Sequence, residues 1–72
     1  MNSFELQLAA RAAATPATGF NLCEIDDFEF PPDNLIVLEH FADLAAARAG
    51  ANRYGLGVKL VILGADGTST VL

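Results

Sequence analysis

Leu35, Ile36, Val37 and Leu38 form a short apolar run rich in β-branched residues, the pattern of a buried strand. Its period then changes. Phe41, Leu44 or Ala45, Arg48 with Ala49, and Asn52 recur at three- and four-residue intervals, which predicts a helix over 41–54. His40-Phe41-Ala42-Asp43 reads as a loose capping box at its start, with the acid at the positive helix end. Arg48 and Arg53 fall in the later turns, where cations complement the dipole. Gly50 weakens such a helix by about 1 kcal/mol relative to Ala, and Gly55 is a natural left-handed stop. One helix from 34 to 54, capped by Asp33 after Pro31-Pro32, competes with this reading; the β-branched run favours the strand.

Residues 58–63 and 68–72 are apolar or alternating, and they flank Gly64-Ala65-Asp66-Gly67. Asp-Gly is a strong turn signal, so a strand, a tight turn and a strand are expected. Near the N-terminus, Phe4, Leu6 and Leu8 alternate with Glu5 and Gln7 as in a half-buried strand that pairs with the hairpin. The Ala-rich stretch to Ala14, entered through Ser3, equally begins a helix. Pro16 and Gly19 mark a loop, and Pro31-Pro32 a second break. The expectation is one small α+β domain over 1–72, an antiparallel sheet packed against one main helix, with a strand-helix-hairpin unit at 35–72.

Size tempers that picture. Leu, Ile, Val and Phe supply 22 of the 72 residues, enough for folding, but Ala accounts for 13 of the apolar positions and buries little area. A chain this short hides only ~60% of its unfolded surface, so stability is marginal unless a partner or second copy covers more. The net charge of −5, with Arg11, Arg48, Arg53 and Lys59 as the only cations, excludes phosphate-driven binding to nucleic acid. The apolar runs are far shorter than the ~20 residues of a membrane helix, and no basic flank precedes an apolar run at the start, so a soluble, unexported protein is expected. One Cys with one His cannot form an internal disulfide and falls short of a structural zinc site; no metal or cofactor is implied.

Charge is unevenly placed. Glu24, Asp26, Asp27, Glu29, Asp33, Glu39 and Asp43 are seven of the nine acids, and no Lys or Arg lies between Asn21 and Ala47. Acids this close repel at a Debye length of about 8 Å unless they fan into solvent. In extended chain, same-side carboxylates stand roughly 6 to 7 Å apart, a spacing like that of backbone phosphates. Ile25 has the opposite parity from Phe28 and Phe30, which places a bulge or turn at Asp26-Asp27. Phe28 and Phe30, with Phe20, either close the core or form an exposed aromatic anchor between acidic rims. A calcium site is a third reading of the segment, disfavoured because the Asp-x-Asp-x-Asp-Gly register and the distal Glu of an EF-hand are missing.

Other candidates carry little chemistry. His40 has no partner dictated by spacing and reads as a cap or loop residue. Glu24 beside Cys23 raises the thiol pKa and argues against a nucleophile. Gly55-Leu56-Gly57 follows a helix rather than preceding one, so it is no phosphate loop. Thr70-Val71-Leu72 is better explained as a hairpin strand than as a terminal peptide motif.

The unit at 35–72, with Phe41-Ala42-Asp43-Leu44-Ala45-Ala46-Ala47-Arg48 and Gly64-Ala65-Asp66-Gly67, resembles architectures found in small phage and mobile-element anti-CRISPR proteins. The acidic segment 24–33 resembles the nucleic-acid-mimicking members of that group. The resemblance implies a non-enzymatic inhibitor in the cytoplasm of a bacterial host. Such a protein blocks target DNA by binding the DNA-recognition surface of a CRISPR surveillance complex. Its partner is then a basic nucleic-acid-binding protein, and the chain itself is a monomer or weak homodimer. Two other classes compete. One is an interaction subunit that pairs with another copy through a sheet edge. The other is an enzyme, disfavoured because one His and one Cys assemble no nucleophile, base and orienting group.

Overall fold

Asn2 opens the first helix, α1 (Ser3–Ala14), by accepting the Glu5 N–H on its side-chain oxygen at 2.8 Å. The computed structural model describes residues 2–55 and 57–72. Glu5 in the first turn and Arg11 in the last suit the helix dipole, and Thr15 closes the helix by donating both its N–H and hydroxyl to the Arg11 carbonyl. The strand expected through Phe4, Leu6 and Leu8 is therefore a helix. An alternation of five residues is outweighed by the cap and the run of Ala that follows.

Four strands follow the helix: β1 (Phe20–Ile25), β2 (Leu35–Phe41), β3 (Leu60–Gly64) and β4 (Ser69–Val71). They form one antiparallel sheet in the order β2-β1-β3-β4. A second helix, α2 (Leu44–Ala51), stands between β2 and β3 in sequence. The α+β class and the strand-helix-hairpin order at 35–72 are as expected. Two features were not: β1, and a helix against each face of the sheet instead of one main helix.

Both faces follow from side-chain parity. Leu22 and Ile62 point to the α2 side, where they meet Ala47 and Leu60 and are flanked by Phe20, Leu38, Phe41, Leu44 and Tyr54. Cys23, Val61 and Leu63 point the other way and meet Ala14 of α1, beside Ile25 and Leu35. The register of β1 against β2 shifts between Leu22↔Glu39 and Cys23↔Val37, leaving Leu38 as the extra residue of a bulge. The bulge turns Leu38 toward the α2 core and brings Glu39 to the same side, where it pairs with Arg53 just past α2.

Local chemistry sets the element ends. Asp43 is itself the N-cap of α2, its carboxylate accepting the Ala46 N–H at 2.8 Å, rather than the acid within the first turn. The helix is shorter than the expected 41–54, because Phe41 ends β2 and residues 52–54 make tighter i→i−3 turns. The single helix from 34 to 54 is excluded by β2 itself. Gly57, not Gly55, carries the positive φ after α2, and Leu56 of Gly55-Leu56-Gly57 lies outside the described residues. The hairpin is a type I turn with a left-handed Gly67 at φ 88°, so Asp66 keeps ordinary φ. Hydrogen bonds from the Thr68 hydroxyl and N–H lower the Asp66 pKa.

A three-residue polar relay ties α1 down. The Asn21 amide donates to the Ala14 carbonyl at 2.9 Å, which aims its oxygen at His40 Nδ1, 2.8 Å away. That oxygen only accepts, so Nδ1 carries the proton. His40 is thus a structural donor on β2 rather than a loop residue.

Cys23 is fully buried, and desolvation pushes its thiol from an ordinary 9.0 up to about 11. Above pH 9 the unfolded chain ionises while the folded one does not. The stability this residue lends is therefore complete below that pH and is lost as pH rises toward 11. Cys23→Ala should flatten the alkaline decline, seen by comparing urea unfolding of the two proteins at about pH 8 and about pH 10. Equal declines in both proteins would contradict this assignment.

Candidate functional interface

The loop between β1 and β2, residues 26–34, leaves and re-enters the sheet through paired backbone: the Asp26 N–H donates to the Asn34 carbonyl at 2.8 Å. The turn expected at Asp26-Asp27 is present. The Asp26 carboxylate accepts the Phe28 N–H at 2.9 Å, and the Asp26 carbonyl accepts the Glu29 N–H at 3.3 Å. The Pro31-Pro32 peptide is cis.

These local bonds hold the turn with no help from its aromatic rings. Phe28 is 96% exposed and Phe30 85% exposed, whereas Phe20 packs in the α2-side core. The core-closing role for Phe28 and Phe30 is thus overturned: both rings sit on the loop beyond β1 and belong to neither core cluster. Neither ring contributes to the packing of the core.

The seven acids divide by local role. Asp27 pairs with Lys59 at 2.6 Å, Glu39 pairs with Arg53, and Asp43 caps α2. Both ion pairs are solvent-exposed and contribute little to stability. Glu24, Asp26, Glu29 and Asp33 have no cation within salt-bridge distance among the described residues. Glu24 lies near the end of β1 opposite Ile36 and Leu60, and the other three share the 26–34 loop with the two rings. Three of the four acids without a cation partner among the described residues therefore fall on the loop that carries Phe28 and Phe30.

Sequence reading missed a second feature beside that loop. A groove of about 420 Å³ lies between the end of α2 and β3, with Ala51, Val58, Leu60 and Leu72 among its lining and Arg48 and Asn52 at its polar side. Arg48 and Asn52 are four apart and share a helix face, the one sequence signal that pointed to it. Among the described residues, no cluster of three His, Cys, Asp or Glu is placed to hold a metal ion, and no helix is long and apolar enough to cross a membrane. No protein-family model, curated protein or solved structure matches the chain.

Proposed function

We propose that this protein is a non-catalytic inhibitor that docks its 26–34 loop on the cationic nucleic-acid groove of a partner protein and excludes the nucleic acid. The observation that carries the reading is the exposure of Phe28 and Phe30 amid uncompensated carboxylates. Carboxylates steer the encounter with a Lys/Arg-lined groove, and the rings supply the apolar anchor that charge alone lacks. A CRISPR surveillance complex, as the anti-CRISPR resemblance implies, is the partner class to test first. The chain's own net charge of −5 keeps it off the nucleic acid itself.

The test is displacement of target duplex DNA from a purified surveillance complex. Wild type should compete. Replacing Glu24, Asp26, Glu29 and Asp33 by Gln or Asn should slow association and flatten the salt dependence. Phe28→Ala with Phe30→Ala should speed dissociation while leaving the melting temperature within the small range typical of exposed sites. Equal affinities and equal salt slopes across these variants would sink the proposal.

The β2 edge favours a second reading, assembly with another copy by edge pairing. β2 is an outermost strand of seven residues, with Ile36 and Val37 exposed and neither Lys nor Pro to blunt it. Dimerisation insensitive to salt and abolished by Val37→Pro marks that case.

A further inference from the structure

We infer that the groove beside α2 is the seat for the 26–34 loop of a second copy, so that two chains dock reciprocally and cover the surface assigned above to partner binding. The inference rests on that reading for the loop and adds its regulation.

Three observations converge. First, Arg48 stands alone among the cations. Arg11 donates to the Gly67 carbonyl, Arg53 pairs with Glu39 and Lys59 with Asp27, while Arg48 has no acceptor among the described residues. An unpaired guanidinium beside apolar Ala51, Val58 and Leu60 suits an occupant bearing a carboxylate next to an apolar group. Second, the loop offers that combination: Glu29 sits between Phe28 and Phe30, its carboxylate uncompensated and both rings in solvent. The chain does not fill its own groove, since both rings remain outside.

Third, plug and socket adjoin. Lys59 reaches Asp27 in the loop, its carbonyl accepts the Ile25 N–H at 2.8 Å, and its neighbours Val58 and Leu60 line the groove. A site and its complement side by side at one end of the sheet allow a closed two-fold exchange, in which each copy gives a loop and receives one. Separated sites would instead build open chains. In the dimer Glu29 meets the partner copy's groove at Arg48, and the rings lie on its apolar floor. A basic partner must then compete with the second copy for the loop.

Charge reversal tests this without disturbing the fold, because Glu29 and Arg48 are both exposed. Sedimentation equilibrium of wild type should show a monomer–dimer equilibrium. Glu29→Arg alone and Arg48→Glu alone should each weaken it by about tenfold or more, by placing like charges in contact. An equimolar mixture of the two variants should recover a heterodimer, since both of its loop–groove contacts are then compensated. Unchanged melting temperatures confirm that each variant is folded.

A wild type that stays monomeric at millimolar concentration overturns the inference. So does a dimer that survives both reversals, which is the β2 edge-pairing outcome, or a mixture that fails to recover. The inhibitor reading fails separately: Arg48→Glu should still displace DNA from the surveillance complex, and a charge-swapped dimer whose parent displaces none would leave self-association standing alone.

Discussion

Leu22→Ala is expected to remove most of the protein's stability. Leu22 is fully buried on β1, an inner strand of the sheet, and packs against Ala47 of α2 and Leu60 and Ile62 of β3. Truncating a buried Leu costs about 2–5 kcal/mol, the upper part of that range where neighbours cannot collapse into the gap. Here they are held by a helix and a neighbouring strand. A core of this size rarely supplies more than about 3–5 kcal/mol in total, so the loss is comparable with the whole. Urea unfolding should show a pretransition slope already populated by unfolded chain, while Leu22→Met, which conserves volume, should cost under about 1.5 kcal/mol. A Leu22→Ala midpoint equal to that of wild type would show that the α2-side cluster does not hold the fold together.

Gly50→Ala is expected to destabilise as well, against the helix-propensity rule. By propensity alone, Ala in place of Gly within α2 gains about 1 kcal/mol. The site leaves no room for it: a Cβ at residue 50 lies over the Phe41 ring, 2.9 Å from Cε1 and 3.1 Å from Cε2. Phe41 is pinned at the end of β2 through its pairing with Phe20, so α2 must lift from the sheet or the ring must leave its rotamer. Overpacking of this kind costs about 1–3 kcal/mol and outweighs the propensity gain. A melting temperature lowered by roughly 4–8 °C per net kcal/mol is the readout. Phe41→Leu in the same chain should return part of the loss; a stabilised Gly50→Ala would mean that the ring yields freely.

The sequence was most legible where one face meets water or a turn has specific chemistry. Asp66-Gly67 marked the hairpin because only a residue without Cβ takes the left-handed position easily, and Gly67 occupies it. β2 was visible through its β-branched run. β1 was not, because Phe20, Leu22, Cys23 and Ile25 serve two cores and so lose the alternation that reveals a half-buried strand. α1 was obscured for the opposite reason. Its sheet-facing residues are small Ala10 and Ala14, while the large Phe4 and Leu8, 67% and 52% exposed, dominate the hydrophobic pattern without filling the core. In the loop, the parity break between Ile25 and Phe28 showed the turn but not the exposure of the rings, because parity has no meaning once the chain leaves the strand. Asp43 illustrates the limit for charge: its carboxylate counts toward an acidic segment in sequence, yet it is occupied in capping a helix.

The place of β1 between β2 and β3 also governs how the chain reaches its fold. Leu22 lies opposite Ile62, 40 positions later in the chain, and the ladder between these strands joins the two halves of the sequence. Residues 20–41 have only a two-stranded ribbon to form on their own, and such ribbons are at best marginally stable in water. On a ribosome the emerging chain therefore carries an incomplete sheet, with one edge of β1 open, until β3 has cleared the exit channel. A fragment ending before residue 60 should remain unfolded and prone to aggregate through that edge. Assembly therefore waits on the pairing of β1 with β3, and its rate is limited by this one long-range encounter rather than by formation of either helix.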